Sequence, residues 1–310
     1  MAKFLITGGA GNLGSTLAKR LLLDKENQVV IIDNLTTGRL DNLPSNFENL
    51  YFFNCDVNNY HEILPIMRRF RIDYVLHYAA VVGVQRTLDQ PLEVLKDIEG
   101  IKNILNLARD FEVKRVFYTS SSEVYGESII LPQKEDLTPL NCRLPYAAVK
   151  NIGEAFFRSY YQEYGLEYTI FRFFNTYGPK QSNDFVIPRF VDAAVYNKDI
   201  TIYGDGSQTR TFCHVNDNVE TIIKIITESR CVNDVINIGC STEVSIKRLA
   251  EIIISITKSS SSIVHLSALK EGDMSRRQPD NSKMLMILGR PLISLETGIQ
   301  DLLYNRHNLF

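Results

Sequence analysis

The stretch KFLITGGAGNLG, from Lys3 to Gly14, decides the fold. Lys3–Thr7 is a short apolar, β-branched run that stops at two glycines, and Ser15–Leu23 continues with helical spacing. Gly8, Gly11 and Gly14 make a G-x-x-G-x-x-G pattern between strand and helix. Small residues are needed there when a turn is tight, when a pyrophosphate lies against the backbone, and when the helix packs close to the strand. The first helical turn, with Asn12 and Leu13, then offers N–H groups and a partial positive charge to phosphate. The plain alternative is a flexible turn, and the residues further along weigh against it.

A second strand, Val29–Ile32, ends at Asp33. It lies about 20 residues beyond the loop, where an acid can bind both ribose hydroxyls. An acid there repels a 2′-phosphate, so NAD is expected rather than NADP, with Asn34 beside it. Arg39 weighs the other way, because it could reach such a phosphate. A third strand, Asn49–Asn54, is followed by Asp56 and Val57. Asp56 reads equally as a contact to the adenine amino group and as a helix cap.

Outward from this unit, apolar runs alternate with amphipathic segments: helix His61–Phe70, strand Tyr74–Tyr78, helix Val94–Arg109, strand Arg115–Thr119 and strand Tyr168–Phe174. Such alternation predicts βαβ units and a parallel sheet. The expected fold is α/β, a Rossmann-type doubly wound parallel sheet with a smaller C-terminal substrate-binding region. Residues 1–176 form the NAD-binding part, with part of 211–240 returning to it. Residues 177–310 are mainly substrate-binding. The tract Ser259–Ser262 reads as a loop.

The 310 residues carry a formal net charge of −2, are 45% apolar, and cluster no Lys or Arg, so no nucleic-acid partner is expected. Five cysteines without a C-x-x-C pair read as reduced thiols, and no metal site is expected. No apolar run approaches the ~20 residues of a membrane span. A soluble, cytoplasmic protein with no membrane partner is therefore expected.

Pro145-Tyr146-Ala147-Ala148-Val149-Lys150 opens a helix running to about Tyr164, with Gly165 as its cap. Spacing i, i+4 places Tyr146 and Lys150 on one face. A Tyr–Lys pair on a helix is more often a solvated face, but here the chemistry gives it meaning. A phenol titrates near ~10, so acting as a base at neutral pH needs a fall of about three units, ~4 kcal/mol. A neighbouring ammonium and the charge of an oxidised nicotinamide are the candidate sources, and Lys150 is placed to be that ammonium.

The glycine loop, Asp33, the serines of Tyr118-Thr119-Ser120-Ser121-Ser122-Glu123-Val124-Tyr125-Gly126 and the Tyr-x-x-x-Lys pair, in this order, resemble the extended short-chain dehydrogenase/reductases that act on nucleotide sugars. His77-Tyr78-Ala79-Ala80 resembles that family's turn beside the cofactor, which implies cofactor contacts at Ala79 and Ala80. Asn175-Thr176-Tyr177-Gly178-Pro179 resembles its sugar-nucleotide contact. Tyr203 to Arg210 and Ile236 to Gly239 resemble its C-terminal landmarks. The resemblance implies that Ser121 hydrogen-bonds the sugar hydroxyl being oxidised, and that Lys150 also binds the nicotinamide ribose. Ser120 and Ser122 are then structural or adjacent to substrate, and capping remains open for Ser122. Tyr146 as phenolate would take the C4 hydroxyl proton while hydride passes to NAD, and the bound NADH would return it.

The fate of the ketone turns on Glu123, just ahead of the Tyr125-Gly126 pair. It resembles the Glu of 4,6-dehydratases and of UDP-glucuronate decarboxylases; a charge near a helix start is the plain alternative. Dehydratases carry Asp immediately before that Glu, and here the residue is Ser122. Arg276-Arg277-Gln278-Pro279-Asp280 and Gln208-Thr209-Arg210 resemble the decarboxylases, whereas Val81–Gln85 is more like the loop of 4-epimerases. The leading expectation is 4-epimerisation, with decarboxylation next and dehydration third. A non-catalytic dinucleotide-sensing protein is the alternative of another class. By the resemblance, Arg210 and Arg277 clamp phosphate, Arg189 could assist, and Tyr203 could stack on the base. The chain departs from the family at Asp97, where Asn is usual, and at Asn12, where an aromatic is common. The aromatic residues on two faces of the Tyr146 helix predict a homodimer.

Overall fold

A computed structural model describes residues 1–127, 130–267 and 276–307. The first half runs β1 (Lys3–Thr7), α1 (Asn12–Leu22), β2 (Gln28–Asp33), β3 (Leu50–Asn54), α2 (Tyr60–Phe70), β4 (Tyr74–His77), α3 (Val84–Asp89), α4 (Pro91–Asp110), β5 (Arg115–Ser121), α5 (Pro145–Tyr164) and β6 (Glu167–Phe173). It continues with β7 (Thr176–Tyr177), α6 (Val186–Val195), β8 (Ile200–Tyr203), β9 (Thr209–Thr211), β10 (Cys213–His214), α7 (Val215–Thr227), β11 (Asp234–Ile238), β12 (Glu243–Ser245), α8 (Ile246–Thr257), β13 (Ile263–Leu266), α9 (Ser282–Leu288) and α10 (Leu295–His307).

Seven strands form one sheet in the order β3-β2-β1-β4-β5-β6-β11, and every pairing is parallel. Side chains alternate across it, as a period of two requires. Leu5, Val30, Val75 and Val116 enter a core with α2, α4 and α5. Phe4, Ile6, Val29, Ile31 and Phe117 enter a second core with α1, α7 and α9 on the other face. Strands buried on both faces read as continuous apolar runs, which is why the sequence announces them.

The strand order reverses between β1 and β4, and ligands of such sheets bind outside the strand carboxyl ends at that crevice. Thr7 and His77 are register partners at those ends. Helix α1 begins at Asn12 rather than at Ser15, because Gly14 lies inside the helix: a Cβ there would sit 2.7 Å from Gly9 Cα. Ile236-Asn237-Ile238, noticed in the sequence only as a landmark, lies in the seventh strand. A third core, with Tyr177, Phe190, Ile202, Leu249, Ile253 and Leu302, unites α6, β8, α8 and α10 beside the sheet. No described helix is long and apolar enough to cross a membrane.

Candidate active site

Gly8 takes φ +64°, and a Cβ on it would lie 2.7 Å from the Ala79 amide nitrogen. The β1 and β4 turns therefore approach one another at a distance only glycine allows. Thr7 ties them together, its Oγ1 accepting from the Tyr78 N–H at 3.1 Å and the Ala79 N–H at 3.0 Å. With both lone pairs used, that hydroxyl donates to His77 Nδ1, 2.8 Å away. Burial, aided by the Lys150 charge, pushes His77 down to about 3, so the ring is neutral with its proton on Nε2.

Asp33 is 7% exposed at the end of β2. Its carboxylate accepts from the Ala10 N–H at 2.9 Å and the Leu35 N–H at 2.8 Å, so the glycine loop itself aims the acid. Arg39 is exposed, 3.8 Å from Asp41. Asn34 Nδ2 lies 3.4 Å from Asp56 Oδ2, bringing the ends of β2 and β3 together. Asp56 does not cap α2. Asn59 does, and Asp56 instead closes a turn onto the Asn58 N–H at 2.9 Å. Val57 packs into the core, and its carbonyl accepts from Asn103 at 3.0 Å. Asn12 accepts from the Lys180 N–H at 3.2 Å, linking the first turn of α1 to the segment after β7.

Lys150 is 4% exposed. Its ammonium lies 5.2 Å from the centre of the Tyr118 ring and 5.6 Å from that of Tyr146, with no hydrogen-bond partner among the described residues. Burial pushes it down to about 8 against the opposing pull of Asp97. Its donors are thus available to a ligand at the crevice. Tyr146 is held by its surroundings in the direction opposite to that a base needs. Burial, Glu123 and Asp97 push the phenol above its usual range, against the nearby Ser121 hydroxyl and Arg277. Desolvation and two acids from other elements outweigh the Ser121 hydroxyl and the Arg277 charge, so the net push on the phenol is upward. Any lowering has to arrive with a ligand.

Ser121 ends β5, and its Oγ accepts from the Glu123 N–H at 3.2 Å. Ser121, not Ser122, therefore caps the 3-10 turn Ser122–Tyr125. Ser122 is 2% exposed within that turn. Glu123 is neither a solitary base nor merely a charge at a helix start: Arg277 Nη1 donates to its Oε1 at 3.1 Å, and Arg277 is 6% exposed. The arginine expected to clamp phosphate thus lies against the turn that follows β5. Arg210, in the middle of β9, donates from Nη1 to the Thr209 carbonyl at 2.7 Å, and Asn175 Nδ2 donates to the Thr211 carbonyl of the same strand at 3.0 Å. The Arg189 guanidinium lies 5.9 Å from the Tyr203 ring centre.

Sequence reasoning missed Thr7 and a buried network behind the serines. Glu154, on α5 one turn past Lys150, accepts from Ser120 Oγ at 2.6 Å and from Arg172 Nε at 2.8 Å and Nη2 at 2.7 Å. Arg172 reaches the Tyr125 hydroxyl at 2.9 Å, and Tyr125 donates to Asn237 on β11 at 2.8 Å. The available signal was a charge inside the apolar run Tyr168–Phe174. A charge at such a position is almost never buried without a partner.

The glycine cradle, the aimed acid and the unpaired ammonium fit a dinucleotide. Residues 4–239 match the model of the NAD dependent epimerase/dehydratase family. The chain is 36% identical to a UDP-N-acetyl-alpha-D-glucosaminuronate decarboxylase of Bacillus cytotoxicus, over 96% of this chain and 95% of that one. It superimposes on a UDP-glucose 4-epimerase from Thermotoga maritima with a TM-score of 0.92, at 28% identity over 99% of this chain and 100% of that one. A dTDP-glucose 4,6-dehydratase from Streptomyces venezuelae gives 0.90, at 29% identity over 99% and 97%. By their names all three act on nucleotide-linked sugars, through three different reactions. With the fold, the crevice and this match agreeing, the chain belongs to the NAD dependent epimerase/dehydratase family.

Proposed function

We propose that the chain is an NAD-dependent decarboxylase of UDP-linked hexuronic acids. The observation that carries this reading is the Glu123–Arg277 pair, 3.1 Å apart and close enough to Tyr146 for both charges to act on its phenol. Dehydration needs an acid where Ser122 stands. Epimerisation needs a 4-ketone and room to turn the sugar, and has no use for a partly desolvated ion pair beside it. A hexuronate brings its own carboxylate, which can exchange with Glu123 on the Arg277 fork. The 36% identity to a decarboxylase supports the same choice.

When bound, NAD supplies the hydride acceptor for C4 and afterwards the donor, and brings a cationic ring that favours phenolate. Tyr146 Oη takes the proton of the C4 hydroxyl while Ser121 Oγ hydrogen-bonds the same oxygen. The ketone is β to the carboxylate, so the C5–C6 bond breaks, carbon dioxide leaves, and the electron pair passes into an enolate whose oxygen Ser121 and Tyr146 hold. Solvent water supplies the proton that adds at C5, and the hydroxide left behind combines with the released carbon dioxide as bicarbonate. The C4 ketone is reduced, and Tyr146 returns its proton to the oxygen. Lys150 holds the ribose and keeps positive charge beneath the phenol. In the finer assignment, Gly8, Gly11, Asn12, Leu13, Gly14, Asp33, Asn34, Asp56, Val57, Ala79 and Ala80 line the NAD site, while Asn175, Arg189, Tyr203 and Arg210 hold the nucleotide diphosphate. Residues 1–176 with part of 211–240 serve the first, and 177–310 mainly the second.

The likeness of Val81–Gln85 to an epimerase loop makes 4-epimerisation the second reading. Incubation with UDP-glucuronate, UDP-N-acetylglucosaminuronate, UDP-glucose and UDP-N-acetylglucosamine, read by mass and NMR, separates them. Loss of carbon dioxide supports decarboxylation, and an unchanged mass with inverted C4 supports epimerisation. A homodimer through α4 and α5 is part of the proposal, since Leu95, Ile152 and Tyr164 on these helices are 40%, 39% and 51% exposed. A monomer by light scattering would count against it.

A further inference from the structure

Helix α4 turns Val94, Ile101, Ile104 and Ala108 into the core shared with α5. Spacing of three and four places Asp97 on that same stripe, where an apolar residue is the ordinary choice. Its Oδ2 accepts from the Val81 N–H at 2.8 Å. Val81 lies two residues past Ala79, whose amide is held by Thr7 at 3.0 Å. The turn leaving β4 is therefore tied at one end to β1 and at the other to α4. Behind it, Lys150 is buried with no hydrogen-bond partner among the described residues. An ammonium in that position is costly unless an opposite charge is near.

The geometry points to Asp97 as a positioning residue for the reaction: from α4 it ties down the turn at Val81 and sets a carboxylate against the Tyr146–Lys150 pair of α5. An amide at this position would keep the acceptor for Val81 and lose the charge, so the charge is what this chain adds. The two partners record each other. Burial pushes Lys150 down and Asp97 pulls it up. Burial pushes Asp97 up, the Val81 N–H and Lys150 pull it down, and Asp56 adds to the rise. Asp97 also pushes Tyr146 up. The other groups facing the pair are His77 from β4, Tyr118 from β5, Glu123 from the 3-10 turn and Arg277 from the segment before α9. Glu154 on α5 acts on Tyr118. Tyr118 is pushed up by Asp97 too, so this phenol relaxes together with Tyr146 when the charge at 97 is removed.

This inference rests on the reading of Tyr146 as base and Lys150 as its cation, and is tested on Asp97→Asn. Removing one negative charge lowers both groups, so both limbs of the kcat/KM profile move to lower pH by about one unit. At a fixed pH on the alkaline limb that is about tenfold less activity. A second readout needs no turnover: side-chain NMR titration of Lys150 without substrate, assigned with Lys150→Met. Asp97→Asn lowers the Lys150 midpoint, and reciprocally Lys150→Met raises that of Asp97. Unmoved midpoints in both variants overturn the inference, as does a kcat/KM profile that keeps its limbs. Shifted midpoints in a protein that turns over no UDP-sugar uphold the Asp97 pairing and sink the functional reading instead.

Discussion

Arg277 and Glu123 stand 154 positions apart in the chain and share a hydrogen bond of 3.1 Å. One comes from the segment before α9 and the other from the turn after β5. Closing that distance brings the segment before α9 onto the carboxyl end of β5, where Ser121 stands. Their side chains are 7% and 19% exposed, so the pair is desolvated enough to matter.

Arg277→Ala leaves Glu123, half-enclosed, without its partner, which should cost less than the about 3–5 kcal/mol of a fully buried pair. The expected result is a lowered Tm together with a loss of kcat of at least ~100-fold on a hexuronate substrate. Glu123→Gln keeps a neutral acceptor and should lower Tm much less. Thermal melts and steady-state kinetics check both. A variant at Arg277 with normal kcat would remove the arginine from the chemistry.

The Glu154–Arg172 pair is more deeply enclosed, with side chains 0% and 2% exposed. Burial pushes Glu154 up, but the hydrogen bonds and charge of Arg172, with Ser120 and Arg158, hold it below its usual range. A depressed carboxyl stabilises the fold above its unfolded-state pKa and loses that contribution as pH falls through the folded value. The acid side of the Tm profile should therefore flatten in Glu154→Gln. Arg172→Met alone should cost about 3–5 kcal/mol, and part should return in the double variant. Denaturant titrations of the four proteins measure the coupling.

Lys150 has the opposite linkage. A lysine pushed down to about 8 is a charge the fold tolerates at a cost. Between that value and its ordinary ~10.4 the unfolded chain binds more protons, so stability rises with pH across the window. Lys150→Met should abolish turnover and yet raise Tm near neutral pH, with the gain fading above ~10. A Tm that falls on this substitution would contradict the account.

Asp33→Ser removes the acceptor of the Ala10 and Leu35 N–H groups as well as the acid expected at the ribose. Hydrogen bonds to a charged group contribute ~1.5–3 kcal/mol, so NAD affinity should fall at least about tenfold. NADP should bind the wild-type protein more weakly than NAD, and the difference should narrow in the variant. Calorimetry with both dinucleotides decides this.

How much of the molecule was legible before folding depends on distance along the chain. The glycine loop and Asp33 could be read because strand, turn, helix and acid are neighbours in sequence. Tyr146 and Lys150 could be paired because helical spacing is local. Parallel strands were legible from their unbroken apolar runs. The Glu123–Arg277 and Glu154–Arg172 pairs were hidden because each joins distant elements, and composition does not say which charges meet. The upward push on the Tyr146 phenol was hidden for the same reason. The helical cation was visible at i+4, whereas the opposing acids, Glu123 and Asp97, come from other elements. Around α6 to β9 the elements could not be delimited, since Pro188, Gly204 and Gly206 break the apolar period into short pieces.

The central claim is a transient C4 ketone that releases carbon dioxide and recovers the same hydride. UDP-glucuronate carrying deuterium at C4 and carbon-13 at C6 tests it in one mass spectrum. The account predicts labelled carbon dioxide and a UDP-pentose that keeps its deuterium at C4. A product of unchanged mass, or a pentose stripped of deuterium, would contradict it.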